Sequence, residues 1–311
     1  MHHDATLLAD MGGTHARFAL LAGGEVMHPM SLRCAEHDGP VAAARIFLAA
    51  HPEHRPTRGI FAVAAVVDGD AVEIPNSGWR FSLATARDAL GLTRLDAIND
   101  FTAVALAVPR LAPGHVLDIG GGSARTGSPI AVLGPGTGLG VSALVPGTEG
   151  GWVALETEGG HATMAAATDR EAELLSRLRR RFGHVSAERV LSGQGLVNLY
   201  GAVAGDETTL TTPDLISRHG LDGSCRHSRE ALDTFFAMLG TAAANLALSV
   251  GARGGLFIAG GILPRMAEAF RRSAFRARFE DHGRFGPYLA AIPTRLIVHP
   301  HPAFLGLAAL A

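Results

Sequence analysis

Near its start the chain shows a strand, a glycine-rich turn and a returning strand, and the same three-part unit recurs near its middle. Leu7–Asp10 and Arg17–Leu21 read as strands joined by Met11-Gly12-Gly13-Thr14-His15-Ala16. Ile130–Leu133 and Val141–Val145 read as strands joined by Gly134-Pro135-Gly136-Thr137-Gly138-Leu139-Gly140. A dinucleotide-binding fingerprint is excluded at both places, because that motif opens a helix and here a strand follows. The simplest architecture with this repetition is two similar α/β halves with a cleft between them. At 311 residues, 47% of them hydrophobic, the chain is long and apolar enough for more than one compact unit.

Periodicity and breaker residues supply the other elements. Val41–Ala50 and Ala84–Leu90 read as helices, and Gly59–Val67, Ala71–Ile74 and Leu95–Ile98 as strands. A helix over Asp100–Val108 stops at Pro109. Pro109 to Gly114 gathers two prolines and a glycine, so we place the domain boundary there. The expected division is a small domain over residues 1–110, completed by 300–311, and a large domain over 111–299. Further helices are expected at Glu171–Phe182, Ser192–Tyr200, Ser228–Val250, Pro264–Ala274 and Ala303–Leu310. Strands are expected at Leu256–Ala259 and Leu296–His299.

Composition narrows the function. The chain contains no lysine; its 27 basic residues other than histidine are all arginine. A P-loop and a protein kinase each require a lysine at a fixed place, so both are disfavoured. Backbone amides and a metal must then do most of the work on any phosphate. A net charge of −2 gives no support for a nucleic-acid partner. Cys34 and Cys225 stand alone, which favours idle thiols over a disulfide or a zinc site and suits a reducing cytoplasm. The uncharged stretch Thr234–Ala252 is rich in alanine and poor in bulky apolar residues, so it reads as a buried helix and no membrane is expected. No signal peptide is read at the N-terminus.

Amides in a glycine-rich turn can converge on an anion, since glycine allows positive φ and close approach. Either turn alone reads more readily as an ordinary hairpin. Asp10 precedes the first, and a carboxylate there repels phosphate unless a cation lies between them. That points to Mg²⁺ held through water, with capping of its own turn as the alternative.

Leu8-Ala9-Asp10-Met11-Gly12-Gly13-Thr14-His15-Ala16-Arg17 resembles the first phosphate motif of bacterial glucokinases, and Gly134–Gly140 resembles their second. Leu256-Phe257-Ile258-Ala259-Gly260-Gly261-Ile262-Leu263-Pro264-Arg265 resembles their adenosine motif. The likeness continues through Ile98–Thr102, Gly159–His161, Gly183–Tyr200 and Phe275–Phe285, in order and nearly end to end. It departs at His15, commonly asparagine in the family, and at Ala62–Val67, which lacks a frequent Cys-Pro. The resemblance implies an actin-like ATPase fold: α/β, two ribonuclease-H-like domains around a central cleft. It also implies a cytoplasmic, commonly dimeric enzyme that uses ATP and Mg²⁺ to phosphorylate glucose. ATP would lie against Ala9, Asp10, Met11, Gly12, Gly13, Thr14, Gly136, Thr137, Gly138, Gly260 and Gly261, with Asp10 holding Mg²⁺ through water.

A hexose offers hydroxyls, and carboxylates and amides are their natural readers. Asn99-Asp100 stands where a strand gives way to a helix, and Asp100 by itself reads as a helix cap. The family resemblance instead makes Asp100 the general base, with Asn99 beside it. By the same resemblance Glu158, His161 and Glu188 hold sugar hydroxyls. Read alone, His161 is a structural hydrogen-bonder and Glu188 an acid in the first turn of a helix. Asn76, in a Pro-Asn-Ser-Gly sequence, reads as a turn residue. Asp118–Ser123 resembles a phosphate loop of the exopolyphosphatase branch, but the intact loop that follows leaves it as a connecting segment. Arg177, Arg179, Arg180 and Arg181 share a helix with Asp169, Glu171 and Glu173, which reads as a solvated face. The alternatives are a kinase for another hexose, a phosphohydrolase of that branch, or a non-catalytic sugar-responsive regulator. The regulator is disfavoured because the first loop leaves no room before it for a DNA-binding helix-turn-helix.

Overall fold

The computed structural model describes residues 5–148 and 150–311. The chain forms two compact units. One runs to Pro113 and resumes over His299–Ala311; the other is Gly114–Val298.

The first unit begins with an antiparallel meander, β1 (Thr6–Met11), β2 (His15–Ala22) and β3 (Glu25–Arg33). Helix α1 (Pro40–Ala49) leads to β4 (Arg58–Val63), which pairs parallel to β1. A small hairpin, β5 (Ala71–Ile74) and β6 (Trp79–Ser82), and helix α2 (Leu83–Ala89) precede β7 (Arg94–Asn99), parallel to β4. Helix α3 (Asp100–Ala107) follows directly. The sheet order is β3-β2-β1-β4-β7. Its central strand, β1, carries Leu7, Leu8, Ala9 and Met11 fully buried, because both of its edges and both of its faces are covered.

The second unit repeats this plan. Strand β8 (Val116–Gly120) comes first, then the meander β9 (Ile130–Pro135), β10 (Leu139–Pro146) and β11 (Trp152–Glu156). Helices α4 (Asp169–Phe182), α5 (Gly193–Ala204), α6 (Pro213–Leu221) and α7 (Arg226–Val250) form the layer that follows. Strand β12 (Gly255–Ile258) pairs parallel to β9. Short helices α8 (Ala267–Arg271), α9 (Phe275–Glu280) and α10 (Gly286–Ala290) lead to β13 (Thr294–Ile297), parallel to β12. The order is β11-β10-β9-β12-β13-β8. Without β8 it matches the first sheet strand for strand, which is the ribonuclease-H-like arrangement, present twice.

The last helix, α11 (Pro302–Leu307), belongs to the first unit and lies on α3. Their backbones meet so closely at Gly306 that a Cβ there would stand 1.8 Å from the Ala103 carbonyl oxygen.

Helix α7 is long and apolar enough to cross a membrane, yet Phe235, Phe236, Met238, Leu239 and Ala243 are buried in the second unit's core. The expected single helix over Pro264–Ala274 is broken: Leu263–Met266 is a 3-10 turn, α8 ends at Arg271, and Ser273 Oγ accepts from the Phe275 amide at the start of α9. The strand from Gly59 stops at Val63, where the Ala65 amide folds back on the Val63 carbonyl. The edge strands β3, β8 and β11 were not legible, because exposed edges lack the apolar alternation on which a strand reading depends.

Two expectations need correction. Asp118–Ser123 is not a connecting segment: its first three residues belong to β8, where Asp118 pairs with Arg295 at 3.0 Å. Its glycines serve packing, since a Cβ on Gly121 would lie 2.2 Å from the Ile292 carbonyl oxygen. Nor is α4 a wholly solvated face. Glu171 is 4% exposed and bonds Arg278 of α9 at 2.7 Å, while Arg179, Arg180 and Arg181 do face solvent.

Candidate active site

In the first unit, the parallel strands bring three segments to one edge. Register pairs Met11 with Val63 and Val63 with Asn99, so the first glycine turn, the end of β4 and Asn99-Asp100 lie side by side at the strands' carboxyl ends. This is where open α/β sheets bind ligands. Within the turn, the Gly12 amide bonds the His15 carbonyl at 3.0 Å and Cys34 bonds Thr14 at 2.9 Å. Among the described residues no acceptor takes the amides of Gly13 or Thr14. Gly13 is obligatory, because a Cβ there would lie 2.3 Å from the Cβ of Asn76. Asn76 thus sits in a turn, as read, but that turn backs the glycine loop. Ala9 and Met11 point into the core at 0% exposure and have no side chain to offer a ligand.

Asp10 bonds Arg17 at 3.1 Å and is largely withdrawn from solvent. Burial pushes its carboxyl up from the ordinary value, and Arg17, then His301, pull it back. The imidazole of His301 is pushed down, chiefly by its own burial, and its Nδ1 is buried without a partner. Among the described residues Asp10 does not cap its turn; its carboxylate accepts from the Arg17 guanidinium instead. The partnership was readable, since Asp10 and Arg17 stand opposite in the hairpin register. The approach of His301 was not, because it comes from the far end of the chain.

The helix cap is Asn99, not Asp100. The Asn99 carbonyl oxygen accepts from the amides of Phe101 and Thr102 at 2.9 and 3.1 Å, and its side-chain nitrogen donates to Ala65 O at 3.3 Å. Asn99 therefore spends its acceptor on the fold. Asp100 occupies the first helical position, where its Oδ1 accepts from the Phe101 amide at 2.9 Å and the helix dipole favours its charge.

The second unit shows the same edge. The turn Gly134–Gly140 follows β9, and Gly260-Gly261 follows β12 beside it. Gly260 has φ 90°, and a Cβ on it would stand 2.3 Å from the Pro135 carbonyl oxygen, so the backbone crosses the end of β9 at contact distance. The Gly136 carbonyl accepts from Gly193 at 2.9 Å, which sets the start of α5 against the loop. No acceptor among the described residues takes the amides of Thr137 or Gly138. Gly193 escaped the sequence reading; the Ser-Gly step that opens its helix was the available signal.

Glu188 joins the parts. Its Oε2 accepts from the Leu139 amide at 2.8 Å, and a Cβ on Gly138 would collide with that oxygen at 2.4 Å. Its own amide bonds the Gly160 carbonyl at 2.9 Å. Glu188 lies in a turn before α5, so it is not an acid in a helix's first turn. Gly160 is pressed on β10, with a hypothetical Cβ 2.1 Å from Leu139 O. This carries Glu158 and His161 to the surface, 3.8 Å apart and both more than half exposed. The second phosphate-type loop, the Glu158–His161 turn and Glu188 therefore form one continuous structure.

Residues 7–311 match the sequence profile of the glucokinase family. The chain belongs to that family. It is 65% identical over 309 residues to a glucokinase of Paramagnetospirillum magneticum, covering 98% of this chain and 96% of the relative. A crystal structure of a glucokinase from an Antarctic psychrotroph superposes with a TM-score of 0.87 at 37% identity, covering 99% of this chain and 98% of that one. A ROK family glucokinase from Streptomyces griseus, solved in complex with glucose and AMPPNP, superposes at 0.66 with 18% identity, covering 99% of each chain; that likeness is one of fold. In this glucokinase-family chain the actin-like ATPase fold thus presents, unit by unit, an edge of glycine loops and carboxylates.

Proposed function

We propose that this chain transfers the γ-phosphoryl group of ATP to the 6-hydroxyl of glucose, with Asp100 as general base. The observation that carries the assignment is the division of labour at the β7–α3 junction. Asn99 caps the helix, so Asp100 is not needed for that purpose, and it follows β7 at the same carboxyl edge of the sheet as the first glycine loop. Asp100 would accept the hydroxyl proton as the sugar oxygen attacks phosphorus in line. The amides of Gly13 and Thr14 in the first unit, and of Thr137 and Gly138 in the second, have no acceptor among the described residues; each pair would donate to phosphate oxygens and stabilise developing charge without reorganising. Glu158, His161 and the Oε1 oxygen of Glu188 would hold sugar hydroxyls, assisted by the Asn99 side-chain amide.

Mg²⁺ fits the donors present. Asp10 is a hard oxygen donor close in sequence to the Gly13 and Thr14 amides, which have no acceptor among the described residues, and with Arg17 on Oδ2 its Oδ1 would take a metal-bound water. When bound, the ion would neutralise phosphate charge in a chain with no lysine to do so. We further infer a cytoplasmic homodimer with no nucleic-acid or membrane partner, in keeping with the small net charge and the burial of α7.

The deciding experiment is ADP release by wild type and Asp100→Asn over a hexose panel with several phosphoryl donors. We expect glucose with ATP to be strongly preferred. In Asp100→Asn, kcat should fall on the order of 10²-fold or more, with glucose still bound. Near-normal turnover in a stable Asp100→Asn protein would remove the assigned base.

A further inference from the structure

Three histidines and a glutamate meet in the first unit, on β3 and the segment that follows α1. Edge strand β3 carries a bulge: Phe18 pairs with Met30 and Leu20 with Met27, so His28 and Pro29 together face Ala19. A bulge re-aims a side chain. At its centre His28 has φ 57°, and among the described residues it alone takes a positive φ without being glycine. Glycine is the default at such a position, so histidine is held there at a conformational cost.

The bulge brings the His28 ring onto the segment that follows α1. Its centroid lies 4.5 Å from that of His51, nearly parallel, and 5.7 Å from that of His54. Glu53 Oε1 lies 3.8 Å from His51 Nδ1 and 3.6 Å from His54 Nε2. One donor atom from each of His28, His51 and Glu53 can be chosen so that all lie within 4.8 Å of one another. No hydrogen bond from these imidazoles to backbone is found among the described residues, so their nitrogens are not committed to the fold.

We propose that His28, His51 and Glu53 bind a divalent late first-row metal ion, with zinc the best fit, and that His54 flanks the site. Two imidazoles and one carboxylate are a zinc ligand set, and imidazole nitrogen selects Zn²⁺, Ni²⁺ or Cu²⁺ over Mg²⁺. Closing to bonding distance requires the side chains of His28 and Glu53 to move, and both are exposed. The site is distinct from the Mg²⁺ position proposed at Asp10. His51–His54 lie on the connection into the amino end of β4, whereas Asp10 and Asp100 stand at the carboxyl ends of β1 and β7. The bound ion clasps edge strand β3 to the end of α1 and stabilises the first unit without touching the chemistry.

The test is calorimetric titration of Zn²⁺ into the intact enzyme, paired with thermal unfolding, for wild type, His28→Gly and His51→Gln. Glycine suits φ 57°, so His28→Gly keeps the fold and isolates the ligand. We expect one equivalent of Zn²⁺ and a rise in Tm for wild type. Each variant should weaken that equivalent by more than about 10-fold, the least that loss of even an outer partner costs a metal site, and should lose the rise in Tm. Co²⁺ should broaden the ring resonances of His28 and His51 first. Kinase activity of the variants with Mg²⁺ should match wild type. His2 and His3 lie outside the described residues and can bind metal themselves, so the readout is the equivalent that vanishes in His28→Gly. The proposal is overturned if no equivalent vanishes, if the Tm rise survives in His28→Gly, or if Mg²⁺ gives the same rise.

Discussion

Replacing Glu188 by alanine removes the acceptor of the Leu139 amide and, with it, the tie between the second glycine loop and the turn that bears Glu158 and His161. The bond is short at 2.8 Å and its acceptor is a carboxylate oxygen, a class worth about 1.5–3 kcal/mol. Partial solvent exposure argues for the lower half of that range, about 2 kcal/mol. For a unit of this size, Tm should then fall by about 4–8 °C. Loss of the same energy from transition-state positioning corresponds to about 30-fold in kcat/KM. The loss should appear against ATP as well as glucose, because the freed amide adjoins Gly138 and Thr137. Glu188→Gln separates the two roles. Its amide oxygen can still accept from Leu139, so Tm and the KM for ATP should stay near wild type. If Glu188 holds a sugar hydroxyl as proposed, the KM for glucose should rise, because a carboxylate acceptor is gone. Steady-state kinetics with each substrate varied, together with thermal melts of all three proteins, supply the numbers. If Glu188→Ala raises only the KM for glucose and leaves Tm and the KM for ATP untouched, the proposed coupling through Leu139 is wrong.

Other substitutions probe the first unit. Asn99→Ala should lower stability by about 1 kcal/mol through loss of the cap, whereas Asp100→Asn should leave Tm nearly unchanged while turnover collapses; equal melting losses would return the cap to Asp100. Burial raises the Asp10 pKa, so stability falls as pH rises from 3.8 through the folded value. Asp10→Asn removes that burden; its Tm at pH 7 should equal or exceed wild type while Mg²⁺-dependent turnover drops, and full wild-type activity in excess EDTA would refute the metal role. Gly306→Ala forces α11 off α3, because its Cβ would meet the Ala103 carbonyl. It should cost about 1–3 kcal/mol and reduce kcat through displacement of Asp100, so a variant with normal melting and turnover would show that the contact relaxes freely.

Much of this molecule was legible in its residues. Hairpin strands around Gly12–Thr14 and Gly134–Gly140 follow from apolar runs broken by glycine, because such local signals need no partner to be read. The duplicated plan was visible in those hairpins, and the order of the phosphate and adenosine motifs carried the family resemblance. Asp100 and Glu158 were named from that resemblance, because local pattern by itself made Asp100 a helix cap. What could not be read were choices that depend on neighbours remote in sequence. Whether Asn99 or Asp100 caps α3 is decided by side-chain direction at a strand end, where Asn99 also reaches Ala65. Glu188 looked like a helix-start acid until the fold laid it across Leu139, far upstream. Gly13, Gly160 and Gly306 look alike as letters, yet each is required by a different backbone crossing. His28 meets His51 only because a bulge turns an edge strand toward the end of a helix. Local propensity is a property of neighbouring residues and is written along the chain. Close approach is a property of surfaces that only the folded chain brings together, and it is there that these polar groups acquire their partners.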